Sequence, residues 1–156
     1  MIYITVGNNP FGFDDLIKTI DNFDNIEKYS FYAQIGNGFY KPRNIKFKKF
    51  LTTNIHEKLI KESSLVISHG GLGTILDLIK LKKKFLIVPQ KKSDISNDQL
   101  YFVKKLSKKY DLNYIKNLNN LKFSIERLLK KNNKIIKLPK TNINILVKNF
   151  LRDNFF

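Results

Sequence analysis

The sequence LVISHGGLGTILD, which runs from Leu65 to Asp77, decides the fold of this chain. It begins with a short apolar run, Leu65–Ser68, that predicts a buried strand. A helix is predicted soon afterwards, over Thr74–Leu81. The turn between strand and helix contains three glycines, Gly70, Gly71 and Gly73. A strand, a glycine-rich turn and a helix in this order are typical of the βαβ units that build parallel sheets.

The rest of the chain repeats this alternation of strand and helix patterns. Strands are predicted at Met1–Gly7, Ser30–Ile35, Ile45–Leu51 and Phe85–Val88, with a weak one at Asn113–Ile115. Helices are predicted at Phe13–Phe23, Asn54–Ser63 with Asn54 as its N-cap, Asp98–Lys108 and Leu121–Lys131. We therefore expect an α/β fold, a Rossmann-like parallel sheet with helices on both faces, in a single domain over residues 1–156.

The composition excludes several kinds of site. The chain has 156 residues, no cysteine and two histidines, which excludes disulfides, thiolate metal sites, a cysteine nucleophile and a His-rich metal site. Its formal net charge is +16, from 29 Lys and Arg against 13 Asp and Glu. This charge indicates either a surface that attracts anionic lipid or phosphorylated ligands, or the lysine-rich composition of an AT-rich genome. Only three of the cations are arginine, the residue that nucleic-acid readers favour, so no nucleic-acid partner is expected.

Polar and glycine residues follow several of the predicted strands, where an open parallel sheet binds its ligands. The residues that come there are Gly7, Asn8, Gln34, Gly36, Ser68, His69, Gly70, Gly71, Pro89 and Gln90. A glycine-rich turn before a helix N-terminus suits a diphosphate, because free N–H groups and the positive end of the helix dipole face the ligand. Asp77, about one turn into that helix, is then well placed for the hydroxyls of a ribose. The alternative is an ordinary turn in which the helix dipole favours an acid at position 77.

Common catalytic and nucleotide-binding fingerprints do not fit. Leu76 stands where the dinucleotide motif requires its third glycine, and no phosphate-binding loop of the Gly-Lys-Ser/Thr type is present. His56 lacks the second histidine of a zinc-protease helix, and we expect it to be an exposed helix residue. Ser68 does not lie in a G-x-S-x-G elbow, which argues against a serine hydrolase.

Four motifs occur in order, and together they resemble the C-terminal, nucleotide-sugar-binding half of family 28 glycosyltransferases. They are MIYITVGNNPFGFDDLIKTI at 1–20, QIG at 34–36, SHGGLGTILDLIKLKKKFLIVPQ at 68–90 and NDQ at 97–99. The resemblance covers about residues 1–108 and implies one half of a GT-B fold. It is strongest to a split subgroup, in which the donor-binding and acceptor-binding halves are separate chains.

The resemblance implies a role for each matching residue. Residues assigned to the donor diphosphate are Gly7, Asn8, Gly70, Gly71, Gly73 and Thr74. Residues assigned to the ribose and uridine are Asp77, Gln34 and Pro89, and those assigned to the donor sugar are Gln99, Asp98 and Asn97. His69 is either catalytic or a structural residue that shapes the turn. The chain departs from the family pattern in having Asp77 for a longer glutamate and Asp98 for a histidine, and the second departure bears on which sugar is bound.

The resemblance also implies an activity and partners. We expect a UDP-sugar hexosyltransferase subunit that needs no metal or other cofactor and acts in capsule, exopolysaccharide or other glycan biosynthesis. Its acceptor would be a polyprenyl-diphosphate-linked glycan. The chain has room for only one GT-B half, so the acceptor-binding half is expected to be a separate, membrane-anchored polypeptide. The general base would come from that partner or be His69. The protein is then expected in the cytoplasm, peripheral at the inner face of the membrane.

The C-terminal residues 142–156 predict an amphipathic helix and tail. Its apolar stripe consists of Ile143, Leu146, Val147, Phe150 and Leu151, and Phe155 and Phe156 follow. This helix either packs on its own sheet or meets a partner or bilayer. The alternative for the whole chain is a non-catalytic basic module that binds RNA or another phosphorylated ligand.

Overall fold

A computed structural model of the protein describes residues 1–8, 10–90, 99–132, 135–136 and 152. The predicted C-terminal helix and tail lie outside these residues, except for Arg152. Asn97 and Asp98 also lie outside them. No helix in the described ranges is long and apolar enough to cross a membrane.

Strands and helices alternate as the sequence predicts. The strands are β1 Ile2–Thr5, β2 Phe31–Gln34, β3 Lys46–Lys48, β4 Leu65–Ser68 and β5 Phe85–Ile87. The helices are α1 Asp14–Asp21, α2 Thr53–Glu62, α3 Leu72–Lys80, α4 Gln99–Tyr110 and α5 Leu121–Lys130. Two short 3₁₀ segments, Ile26–Lys28 and Leu118–Asn120, complete the described secondary structure.

The strands form one parallel sheet in the order β3-β2-β1-β4-β5. β1 lies at the centre, where Ile2 pairs with Phe31 of β2 on one side and with Leu65 of β4 on the other. All four residues of β1 and of β4 are buried, as expected for strands covered on both faces. From β1 the chain adds β2 and β3 on one side of the sheet and then β4 and β5 on the other side. Such sheets open a crevice for a ligand at this change of side, which here lies between β1 and β4.

Helices cover both faces of the sheet, which confirms the predicted α/β architecture. On one face Ile4 packs in a core with Leu16 of α1 and Ile125 of α5. On the other face the neighbouring residue Tyr3 packs in a second core built from the other three helices. That core contains Ile60 of α2, Ile75 and Leu78 of α3 and Val103 of α4. Consecutive residues of a strand point to opposite faces, so one strand supplies both cores.

Helix α3 begins at Leu72, two residues before the predicted start at Thr74. Gly71 is its N-cap residue with extended backbone angles, φ −66° and ψ 133°, and its carbonyl accepts the first helical hydrogen bond from the Ile75 N–H at 3.0 Å. Leu72 and Gly73 therefore lie in the first turn of the helix rather than in the preceding loop. Asp77 is one and a half turns, rather than about one turn, from the start of the helix.

Two other local predictions differ from the structure. The N-cap of α2 is Thr52, whose Oγ1 accepts the N–H of Ile55 at 3.4 Å, whereas the predicted cap, Asn54, lies inside the helix. The weak strand predicted near Tyr114 is an isolated parallel bridge to Ile87 of β5.

Candidate functional site

The carboxyl ends of the two central strands, β1 and β4, place the candidate site. Thr5 is paired with Ser68, and the next residue, His69, donates its backbone N–H to the Thr5 carbonyl at 3.2 Å. The segments that follow these strands, at Gly7 and at Gly71, therefore leave the sheet side by side. Most of the residues predicted for the diphosphate lie on these two segments.

The imidazole of His69 lies between two glycines from different segments. A Cβ atom added to Gly7 would lie 2.8 Å from His69 Nε2, and one added to Gly71 would lie 2.6 Å from the same atom. Real Cβ atoms essentially never approach a heavy atom this closely. Gly7 also has a positive φ of 69°, a conformation that disfavours other residues. Both glycines are therefore required by the ring between them, which the spacing of the motif alone did not indicate.

His69 is only 7% exposed, and two polar atoms beside the turn lack hydrogen-bond partners in the described part of the chain. These atoms are the Nδ1 of His69 and the Oγ of Ser68. Burial lowers the pKa of His69 below its usual value, so its imidazole is neutral at physiological pH. A neutral imidazole can accept a proton or donate a hydrogen bond, depending on its tautomer.

The N-terminus of α3 is open to a ligand. No side chain caps it, because its N-cap residue is Gly71. The first N–H groups of a helix have no partner within the helix, and they carry the positive end of the helix dipole. Gly73 is exposed, and a Cβ added there would meet nothing within 4 Å. A phosphate can therefore approach the backbone here without displacing protein atoms.

Asp77 lies farther along α3 with its side chain 51% exposed and 3.8 Å from the Lys80 ammonium group. Its carboxylate is also close enough to act on His56 of α2. Burial lowers the pKa of His56, and the charges of Asp77 and Glu57 oppose this shift. His56 is half-buried rather than exposed as predicted, and its Nδ1 is 2.7 Å from the hydroxyl of Tyr3 in β1. No feature of the sequence near His56 indicated this contact, because it joins residues 53 positions apart.

Gln34 reaches the same edge of the sheet, but its amide is bound within the protein. Its Oε1 accepts from the Thr5 hydroxyl at 2.8 Å, and its Nε2 donates to the carbonyls of Gly7 at 3.0 Å and Lys49 at 3.1 Å. The side chain is 3% exposed. Gln34 therefore braces the ends of β1 and β3. Its predicted contact with a nucleotide stays a prediction, which this geometry does not favour.

Gln99 comes to the glycine-rich turn from the first turn of α4. Its Oε1 accepts the backbone N–H of Gln90 at 3.0 Å and would lie 3.5 Å from a Cβ added to Gly70. Gly70 has a φ of +91°, so a side chain there would be strained. The structure thus brings the predicted sugar-binding Gln99 beside the predicted diphosphate-binding turn.

Pro89 faces a cavity that the glycine-rich turn does not line. It is buried and lines a cavity of about 890 Å³ whose other walls include Phe11, Asp14 and Lys18 on the side of α1. The residues of the glycine-rich turn do not line this cavity.

Asn8 and Thr74, by contrast, lie next to the turn. Asn8 is exposed, and Thr74 lies in the first turn of α3. Within the described ranges, no cluster of three acidic or histidine side chains could hold a metal ion.

The sequence and the fold both match known glycosyltransferases. The Glycosyltransferase family 28 C-terminal domain matches over residues 1–152. The human "UDP-N-acetylglucosamine transferase subunit ALG13" is 30% identical over 125 residues, which are 72% of this chain but 11% of the human protein.

Solved structures share the fold. The glycotransferase of kitacinnamycin has a TM-score of 0.62 at 15% identity, over 83% of this chain and 35% of that one. The glycosyltransferase SnogD from Streptomyces nogalater has a TM-score of 0.51 at 18% identity, over 83% and 33% of the two chains. The chain therefore belongs to the glycosyltransferase family 28 C-terminal domain family, and its Rossmann-like sheet is the C-terminal half of a GT-B fold.

Proposed function

We propose that this chain is the donor-binding and catalytic subunit of a UDP-sugar-dependent glycosyltransferase. The observation that carries the proposal is the uncapped N-terminus of α3, which opens beside the two glycines packed on His69. Family membership supports the same function, and so does the human relative, whose name describes a UDP-N-acetylglucosamine transferase subunit.

The diphosphate would lie across the first turn of α3. The N–H groups of Leu72, Gly73 and Thr74 would bind its oxygens and stabilise the negative charge that develops on the leaving UDP. One preorganised donor of this kind contributes about 2.7–4 kcal/mol to transition-state stabilisation. Asp77 lies four residues after Gly73, about 6 Å along the helix axis at roughly 1.5 Å per residue. This separation suits a ribose that follows the diphosphate, with the carboxylate accepting from its hydroxyls.

His69 has two roles open to it in such a site. Its neutral ring holds the two glycine segments apart, which shapes the diphosphate site whether or not it moves a proton. The general base that deprotonates the acceptor would be either His69 or a residue of a partner. Gln99 would contact the donor sugar, since it adjoins the turn at Gly70.

The acceptor side is proposed to come from a second, membrane-anchored subunit. The described sheet is one GT-B half, and the human relative is named as a subunit. The acceptor would be a polyprenyl-diphosphate-linked glycan of a capsule, exopolysaccharide or related pathway, at the cytoplasmic face of the membrane. The transferred sugar would be a hexose or hexose derivative carried by UDP, with no metal needed, because backbone N–H groups supply the positive potential.

Calorimetric titration with UDP tests the donor site. Asp77→Ala should weaken binding about 10- to 100-fold, since hydrogen bonds to a charged group contribute about 1.5–3 kcal/mol each. Glu62→Ala is a matched control, because Glu62 also pairs with a helical lysine at 3.8 Å and is 56% exposed. Equal affinities of the two variants would refute the ribose contact. Absence of UDP binding by the wild-type chain would refute the proposed function.

A further inference from the structure

Three phenylalanines at one corner of the sheet are exposed to solvent. Phe39 is 89% exposed, Phe11 is 65% exposed and Phe50 is 48% exposed. None of them belongs to either of the two hydrophobic cores described above. We call these three residues the aromatic corner. Burying a large apolar side chain stabilises a protein, so an exposed group of them indicates a surface that binds something.

The segments that carry the aromatic corner lie against one another at the carboxyl end of the sheet. A Cβ added to Gly12 would lie 2.5 Å from the Cα of Gly38, so the segments beside Phe11 and Phe39 touch. The N–H of Gly36 donates to the Lys49 carbonyl at 2.8 Å, which joins the segment before Phe39 to the one before Phe50. The segments that carry these three phenylalanines, although far apart in the chain, are therefore neighbours in space.

Hydrogen bonds hold the backbone on both sides of Phe39. Its own N–H donates to Asp14 Oδ2 at 3.2 Å. On the other side, the hydroxyl of Tyr40 donates to Asp21 Oδ2 at 2.7 Å, and the N–H of Arg43 donates to the same oxygen at 2.9 Å. Asp21 is 2% exposed and belongs to α1. The loop is thus anchored to a buried carboxylate, and it presents the ring of Phe39 outward.

The surroundings of the aromatic corner are strongly basic. Between residues 28 and 56 the chain has six Lys or Arg and no Asp or Glu. All six are exposed, and five of them lie between Phe39 and Phe50 in the chain: Lys41, Arg43, Lys46, Lys48 and Lys49. Three carboxylates of α1 lie near the corner. Asp14 accepts from Phe39, Asp21 is buried, and Asp15 is exposed and lines the same cavity as Phe11, so the exposed cations outnumber the exposed carboxylates. The exposed charge of this region is therefore positive.

We propose that the aromatic corner and its lysines dock directly on an anionic lipid bilayer. Exposed aromatic rings flanked by lysine are the combination that inserts at the headgroup boundary, with the ring among the acyl chains and the ammonium groups at the phosphates. Each cation near an anionic surface strengthens binding about fivefold. Protein interfaces are depleted in lysine, and four of the five exposed cations between Phe39 and Phe50 are lysine, so a bilayer fits this surface better than a protein partner. This inference is independent of the sugar chemistry.

A fluorescent reporter tests the proposal at the residue itself. The chain has no tryptophan, so Phe39→Trp introduces a single emitting indole into the full-length protein. Vesicles of phosphatidylcholine and phosphatidylglycerol in equal parts should shift its emission to the blue, and brominated lipid should quench it. Phe123→Trp, at a 69% exposed position on α5 outside the corner, should show neither effect. Unchanged emission from position 39, or equal shifts at both positions, would overturn the proposal.

Vesicle flotation measures the contribution of the corner to affinity. Phe39→Ser should weaken binding to the anionic vesicles about tenfold, whereas Phe123→Ser should leave it unchanged. The double reversal Lys46→Glu with Lys48→Glu should weaken binding more than the charge-matched reversal of Lys108 and Lys109, which are exposed on α4. Equal losses in the lysine pair would show that net charge alone attracts the protein, and equal losses in the phenylalanine pair would show that the ring at position 39 has no special contact with the bilayer. Either result contradicts a docking corner.

Two further experiments distinguish an anionic bilayer from other ligands of this surface. Vesicles of phosphatidylcholine alone should bind at least tenfold more weakly than the mixed vesicles, because the lysines then have no anionic partner. A single-stranded RNA that shifts the emission from position 39 while the mixed vesicles do not would identify a nucleic-acid surface and overturn the proposal. UDP titration of the Phe39→Ser variant should match the wild type, so failure of lipid binding and failure of the donor site are separate results.

Discussion

Replacing Gly71 with alanine tests whether the His69 ring shapes the glycine-rich turn. The new Cβ would lie 2.6 Å from His69 Nε2 and 2.9 Å from Cε1. The ring has little room to retreat, since the histidine is 7% exposed and Gly7 closes its other side. The φ of Gly71 is −66°, which alanine adopts freely, so the cost comes from this contact and not from the backbone.

The expected loss is about 1–3 kcal/mol in the free energy of unfolding, which is the usual cost of overpacking a filled site. For a chain of this length, that corresponds to a fall of roughly 2–4 °C in melting temperature per kcal/mol. Gly73→Ala is the matched control, because a Cβ there meets nothing within 4 Å. Gly73 lies in the first turn of α3, where alanine should be neutral or stabilising by up to about 1 kcal/mol.

A double-mutant cycle measured by urea unfolding isolates the contact. In the His69→Ala background the ring is gone, so Gly71→Ala should become nearly neutral and the coupling energy should approach the whole cost of the single change. The N-cap position also prefers glycine over alanine, but this preference is the same in both backgrounds and therefore cancels from the coupling energy. Equal stabilities of the Gly71→Ala and Gly73→Ala variants, or strictly additive losses in the cycle, would refute this reasoning.

Two further predictions concern the scaffold around the site. Asp21→Asn should lower the free energy of unfolding by about 1–3 kcal/mol at neutral pH, because the buried carboxylate accepts hydrogen bonds from Tyr40, Arg43 and the residue after it. Burial alone would raise the pKa of Asp21, but these hydrogen bonds outweigh it and hold the pKa below its usual value. The stabilisation is therefore present at neutral pH and is lost as the pH falls through that lowered pKa. The urea midpoints of the wild type and the variant should converge in acid. A difference between the two midpoints that stays constant with pH would contradict this. Thr52 caps α2, so Thr52→Ala should lower the free energy of unfolding, measured by chemical denaturation, by about 1 kcal/mol. Asn54→Ala should lower it by less than about 0.5 kcal/mol. A larger loss for Asn54→Ala than for Thr52→Ala would reverse the assignment of the cap.

Most of the secondary structure could be predicted because its signals are local. The apolar runs at Ile2–Thr5 and Leu65–Ser68 identify central strands, since buried parallel strands are apolar on both faces. The errors are equally local. The predicted start of α3, Thr74, is two residues too late. A glycine such as Gly73 usually indicates a loop, but here it lies in the first turn of the helix. Thr52 and Asn54 are both good cap residues, and sequence alone does not decide between them.

The site was predicted in outline, and its contacts were not. The motif order identified the glycine-rich turn after β4 and the family to which the chain belongs. It assigned Gln34 to the ligand, whereas the amide of Gln34 binds Thr5, Gly7 and Lys49 within the protein. It also treated His56 as exposed, although this residue contacts Tyr3 beneath α2. The prediction for His56 was wrong, whereas the ligand contact of Gln34 stays a prediction. The partners of both residues are distant in the chain, so local patterns do not indicate them.

The sequence alone determined the alternation of strands and helices, the parallel sheet and the presence of a glycine-rich turn directly after Ser68. These follow from hydrophobic periodicity and from residue types within a few positions of each other. Only the tertiary structure decided that β1 pairs with β4, which brings Gly7 against His69 and leaves the N-terminus of α3 open beside them. The same strand order brings the segment at Gly12 against the segment at Gly38, beside Phe11 and Phe39. Contacts of this kind depend on which strand ends become neighbours in space, and that order is set by the packing of the whole sheet.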